Sequence, residues 1–210
     1  HPGRLMSAAP LPTPAAEERS QEILASIRQA FAEKGFDGAS MQDLARAAGM
    51  SVGNFYRYFP SKAAIVQSMC GMDLADIQKD FTDVQGSDHP LQSLREKMLS
   101  HLSDEALKDG QLWAEVTAAS IRKPEIRQVA QQMEDTITDF LAAVFASVTR
   151  RSPAEARERY QGQCQMLILL VKAVATRSAQ FGRPSPALTA QVVGVVDRIL
   201  AEISNDVAEG

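Results

Sequence analysis

Residues 40–62 read SMQDLARAAGMSVGNFYRYFPSK, and this stretch decides the fold. Ser40 presents a hydroxyl that caps the helix it precedes, and Asp43, three residues on, adds negative charge to a first turn whose dipole favours it. Met41, Leu44, Ala45 and Ala48 recur at helical spacing as one apolar face, while the small Ala45, Ala47 and Ala48 let a neighbouring helix come close. Gly49 ends that helix because glycine accepts the left-handed conformation of a helix C-terminus, and Ser51 is placed to cap the next one. Two helices joined by so short a turn cross steeply, which is the helix-turn-helix arrangement that seats its second helix in a DNA major groove.

Steps of roughly 100° per residue along that second helix turn Val52, Phe55 and Phe59 inward, toward Leu44 and the helix upstream. The same steps leave Gly53, Asn54 and Arg57 outward, with Tyr56 and Tyr58 on the flanks. A guanidinium matches the guanine edge and an amide the adenine edge, while phenols and hydroxyls bond phosphate oxygens. Pro60 ends the helix and Ser61 caps the next, putting Lys62 in its first turn. A cation there opposes the helix dipole unless a phosphate sits against both the lysine and the exposed N–H groups. The predicted DNA-contacting set is therefore Ser40, Gln42, Ser51, Gly53, Asn54, Tyr56, Arg57, Tyr58 and Lys62.

The motif matches the pattern G-x-x-x-x-S-x-x-x-L-A-x-x-A-G-x-S-x-G-x-x-Y-x-Y-F-x-x-K from Gly35 to Lys62, preceded by an amphipathic helix ending in F-A-E-K-G-F. From about Ile23 to Met69 the chain resembles the DNA-binding domain of TetR-family transcriptional regulators. Ser40 stands where the family more often has threonine, and Asn54 occupies a variable position. Charge adds a constraint. From Glu17 to Lys62, Glu17, Glu18, Glu22, Glu33, Asp37 and Asp43 balance Arg19, Arg28, Lys34, Arg46, Arg57 and Lys62, and the whole chain carries −4. A neutral reading domain on an acidic chain relies on placed contacts and two-fold binding more than on a broad basic surface.

At 210 residues, 45% of them hydrophobic, the chain has room for this small domain and a larger one with its own core. Residues 1–16 read as an Ala- and Pro-rich arm, its first positions a cloning remnant, residues 17–62 as the DNA-binding domain, and residues 63–210 as a helical regulatory and dimerisation domain. In that body we expect helices over about 61–81, 91–107 and 111–122. A fourth opens at Pro124 with the stripe Ile126, Val129, Met133, Ile137, Phe140, Leu141, Val144 and Val148. Ser152, Pro153 and Glu155 read as a capping box opening a helix through about Gln180, and a last helix buries Leu188, Val192, Val195, Val196, Ile199 and Ile203. No segment alternates like a strand, so the expected fold class is all-α.

The most apolar run, Met166 to Ala175, is interrupted by Lys172, and no span reads as a membrane helix or signal peptide. Cys70 and Cys164 lack ligand spacing, which points to buried thiols in a reduced, cytoplasmic protein. His1, His89 and His101 belong to no metal or catalytic motif, and there is no G-x-S-x-G and no phosphate loop. We therefore expect no enzyme, no metal and no cofactor. What the resemblance implies for the body is a homodimer through the last two long helices, bound to a double-stranded palindromic operator. It also implies a pocket for a small, largely apolar effector whose binding releases the DNA. Met98, His101, Leu102, Trp113, Glu115, Thr117, Phe140 and Cys164 are the candidate lining residues. The competing reading is a dimeric regulator controlled by a protein partner or by concentration, with no small-molecule effector.

Overall fold

The computed structural model describes residues 14–100 and 110–208, and every regular element among them is an α-helix. The chain divides after Pro60 into two compact units. The first holds α1 (Pro14–Lys34), α2 (Met41–Ala47) and α3 (Val52–Tyr58). Its core is built from Leu24, Ile27 and Phe31 of α1, the loop residue Phe36, Leu44 and Ala45 of α2, and Phe55 of α3, all buried. Phe31 stacks on Phe36 with ring centroids 5.1 Å apart, closing the connection between α1 and α2.

The α2–α3 turn follows from its residues. Ala48 ends α2, Gly49 takes φ 65°, and two backbone bonds close the turn: Gly49 N–H donates to Arg46 O at 3.1 Å and Met50 N–H to Ala45 O at 3.0 Å. That pairing satisfies carbonyls the helix end would leave bare, and it needs the positive φ that glycine supplies without steric cost. Ser51 then caps α3, its Oγ accepting from Asn54 N at 3.3 Å. Three sequence expectations shift here. Val52, read as inward-facing, is exposed because it is the first residue of a seven-residue helix whose packing begins only at Phe55. Ala47 is likewise exposed, and Met41 only half-buried.

The second unit holds α4 (Lys62–Gln85), α5 (Pro90–Ser100), α6 (Gly110–Arg122), α7 (Pro124–Thr149), α8 (Pro153–Arg159), α9 (Gln161–Phe181) and α10 (Pro186–Ala208). The helix expected over 91–107 is described only as far as Ser100. Central to the unit is α7, which touches α4, α5, α6, α8, α9 and α10. Val84, Leu94, Leu141, Val144, Phe145, Cys164, Leu167, Val196 and Ile203 form a continuous core.

The single helix expected from Ser152 to Gln180 is two helices. The capping box at Ser152 and Glu155 forms, but α8 stops at Arg159 and Tyr160 adopts φ −107°, ψ 17°. Tyr160 is buried with its ring edge-on to Phe145 at 5.8 Å, and its hydroxyl donates to Asp206. Arg159 Nε reaches the same carboxylate at 2.7 Å and Arg151 at 3.3 Å. The backbone bends to seat this ring and gather three donors on one acid of α10.

Candidate nucleic-acid interface and body cavity

Two sites stand in the two units. On the first, α3 buries Phe55, and Phe59 packs on it at a ring separation of 5.2 Å. The helix is thereby fixed by one side. Its other side exposes Gly53, Asn54, Tyr56, Arg57 and Tyr58. Asn54, Arg57 and Tyr58 together line a shallow polar concavity of about 290 Å³. Tyr58 is 67% exposed, far more than a phenol needs if its ring only fills a core.

The remaining predicted contacts lie at helix ends. Ser40 caps α2 in a capping box in which Asp43 stands where glutamate is usual: Asp43 N donates to Ser40 Oγ at 3.1 Å, and Ser40 N donates to Asp43 Oδ2 at 3.0 Å. Lys34 of α1 donates to the same carboxylate at 2.6 Å. The Lys34 ammonium and the Ser40 donors hold the Asp43 carboxyl well below the usual carboxylate range. The clamp fixes the start of α2 against the end of α1. Gln42 and Ser51 are exposed, while Lys62 is half-buried at the first position of α4, in the second unit.

The second site is a cavity of about 670 Å³ walled by α4, α5, α6, α7 and α9. That volume falls within the range of drug-sized ligand sites. Of the predicted lining residues Met98, Trp113 and Thr117 face it. His101 and Leu102 lie outside the described residues. Glu115, Phe140 and Cys164 are not part of its wall. Phe140 stands behind it, against the lining residue Phe81 at 5.5 Å. Cys164 is sealed in the core, where burial pushes its thiol up to about 11. The periodicity that marked these residues as interior does not separate wall from filled core.

What sequence reasoning missed is the contribution of α4. Asp73, Asp76, Ile77, Asp80, Phe81 and Val84 form one face of that helix and line the cavity. The signal was present as a spacing of three and four residues, interrupted by acids where an apolar stripe would have continued. Two lysines also reach the wall, Lys97 donating to Asp80 and Lys172 to Glu134, each at 2.5 Å.

A three-helix head that exposes an amide, a guanidinium and phenols on the second helix of a helix-turn-helix has the arrangement of a DNA-binding domain. Residues 23–69 match the family described as bacterial regulatory proteins, tetR family, which supports a TetR-family regulator with the match lying in the head and the start of α4. It is 29% identical over 127 residues to the HTH-type transcriptional regulator UidR of Escherichia coli, a match covering 60% of this chain and 64% of UidR. The chain thus spans just under two thirds of that relative. The transcriptional repressor KstR of Mycobacterium tuberculosis is 27% identical over 148 residues, covering 66% of this chain and 65% of KstR. Among solved structures, FadR of Bacillus subtilis in complex with stearoyl-CoA superposes with a TM-score of 0.63 at 18% identity, covering 89% of this chain and 98% of FadR. At that identity the likeness is one of fold.

Proposed function

We propose that this chain is a homodimeric, cytoplasmic repressor that binds a palindromic operator through α3 and is released by a small, largely apolar effector held in the body cavity. The observation that carries the DNA reading is the outward face of α3, where Asn54 and Arg57 supply the two side chains best matched to purine edges and Tyr58 supplies a phosphate donor. Ser40, Gln42, Ser51, Gly53, Tyr56 and Lys62 complete the contact set. On this reading the head is residues 17–62 and the body residues 63–210. Repression agrees with KstR, a transcriptional repressor, and an apolar effector with the stearoyl-CoA held by FadR.

Two features of the second unit support a dimer through α9 and α10. Met166 and Leu169 are exposed large apolar side chains on α9, 45% and 56% accessible. Gly194 of α10 is an exposed glycine inside a helix, and a Cβ there would meet nothing within the chain. A helix-interior glycine costs about 1 kcal/mol relative to alanine. The close approach of a second copy's helix explains that cost where this chain's own packing does not. The alternative, control by a protein partner or by concentration, lacks comparable support, because the body encloses a cavity where that reading needs a filled core.

Footprinting the purified chain on DNA upstream of its own gene tests the proposal. Two protected half-sites related by a dyad are expected, with protection lost on adding a cavity ligand. Protection of a single unsymmetrical site, or none, would overturn it.

A further inference from the structure

We infer that Val52 reads thymine, its side-chain methyls packing on the C5-methyl group of a thymine in the operator's major groove, once in each half-site. The inference rests on the DNA reading above and adds to it a base contact that the polar residues of α3 do not supply.

Apolar exposure in the first unit is confined to one helix. Among its described residues the large hydrophobic side chains that stand exposed are Val52, Tyr56 and Tyr58, and all three lie on α3. The two tyrosines carry hydroxyls that suit a wet surface. Val52 carries no polar atom, yet it is 42% exposed. Its place in the helix gives it no packing task. Ser51 caps α3, so Val52 is the first helical residue, and the two positions a hydrophobic staple would use, the one before the cap and the fourth of the helix, are held by Met50 and Phe55. Propensity does not favour it either, because a β-branched side chain forms helix less readily than alanine.

The surroundings select the partner. At roughly 100° per residue, Val52 and Tyr56 share one flank of the outward face, Asn54 and Tyr58 take the other, and Gly53 and Arg57 lie between them. Gly53 is exposed, and a Cβ there would meet nothing within 4 Å, so the helix backbone is bare beside Val52. The start of α3 thus offers an apolar flank opposite a polar one. In a helix-turn-helix the N-terminal residues of the second helix are those that reach base edges. Adenine, guanine and cytosine present hydrogen-bonding groups in the major groove, and the C5-methyl of thymine is the one alkyl group among the four bases. A branched alkyl side chain gains there by removing a methyl from water and finds no such match at the other three.

The test uses the full chain and the operator it selects from random duplex DNA, with each thymine replaced in turn, in both half-sites, by deoxyuridine. That exchange removes the methyl and keeps every hydrogen-bonding group. Fluorescence anisotropy should find a symmetry-related thymine whose replacement weakens binding roughly fourfold per half-site, the worth of one buried methyl. Val52→Ala should bind the thymine and uracil operators alike at that position, and because the side chain is exposed the substitution leaves the core of the head intact. Uracil tolerated at every position by the native chain would overturn the inference and leave the polar reading of α3 standing. A thymine preference that Val52→Ala keeps in full would overturn the assignment to Val52. Selection of no consensus by the native chain would overturn the DNA reading and the inference with it.

Discussion

Arg57 and Asn54 differ from Tyr58 and Lys62 in what they can recognise, and that difference gives the first prediction. Arg57→Ala or Asn54→Ala should change which operator bases are preferred, with a loss of ~1–3 kcal/mol at one base pair. Tyr58→Phe and Lys62→Ala should weaken binding to all sequences alike, and loss of one phosphate contact should lower the salt slope by about one. Fluorescence anisotropy against a set of single-base operator variants separates the two patterns. Acid sensitivity also belongs to single residues. Asp43 and Asp206 are held below the usual carboxylate range, Asp43 first by Lys34 and Asp206 first by Arg159. Each therefore contributes stability that is present at neutral pH and is lost as pH falls through and below the ordinary aspartate range. Asp206→Asn should flatten the acid limb of a stability-versus-pH curve measured by urea unfolding. At this scale the exposed face of α3 was legible in the sequence, because helical spacing alone separates Phe55 from Asn54 and Arg57. Val52 was misplaced, since spacing gives a direction and not whether a neighbour reaches that far along so short a helix.

Helices and their junctions carry the next predictions. Leu167 and Val195 are natural choices for disrupting a dimer from the apolar pattern alone, but Leu167 is fully buried within the chain and Val195 packs on the same core. The exposed Leu169 and Met166 are the informative positions. Leu169→Glu should give a folded monomer by analytical ultracentrifugation with operator affinity greatly reduced, because a carboxylate in an apolar contact is costly and the gain from engaging two half-sites is lost. A dimer of unchanged strength would move the interface elsewhere. The α6–α9 contact permits a stability test. A Cβ at Gly110 would fall 2.4 Å from the Ala175 carbonyl oxygen, so Gly110→Ala forces backbone apart. Overpacking of this kind costs roughly 1–3 kcal/mol, a fall in Tm of about 2–4 °C for each kcal/mol. An unchanged thermal scan would contradict that packing. Helix identity was legible from apolar periodicity and caps such as Ser152 with Glu155. The break at Tyr160 was not, because no proline marks it and its cause, a ring and a hydroxyl drawn toward Phe145 and Asp206, lies some fifteen and 46 residues away in sequence.

For the molecule as a whole, the proposed function needs a head that reads DNA and a body that holds a ligand; α4 follows the head in the chain and supplies acidic residues to the cavity wall. If a ligand lowers operator affinity by some factor, operator DNA must lower ligand affinity by the same factor, so titrations of Trp113 emission with and without operator should differ by the ratio seen in DNA binding. The two-unit architecture was legible because the head carries a specific motif. The cavity was not, since walls and core share one apolar periodicity and only packing decides which side chains face empty space. The claim on which the rest depends is that α3 reads sequence. Selection of binding sites from random duplex DNA, run in parallel with the native chain and with Arg57→Ala, tests it most directly. The native chain should enrich one palindromic consensus, and Arg57→Ala should relax it at symmetry-related positions in both half-sites. Enrichment of no consensus by the native chain, or of the same consensus unchanged by Arg57→Ala, would contradict it.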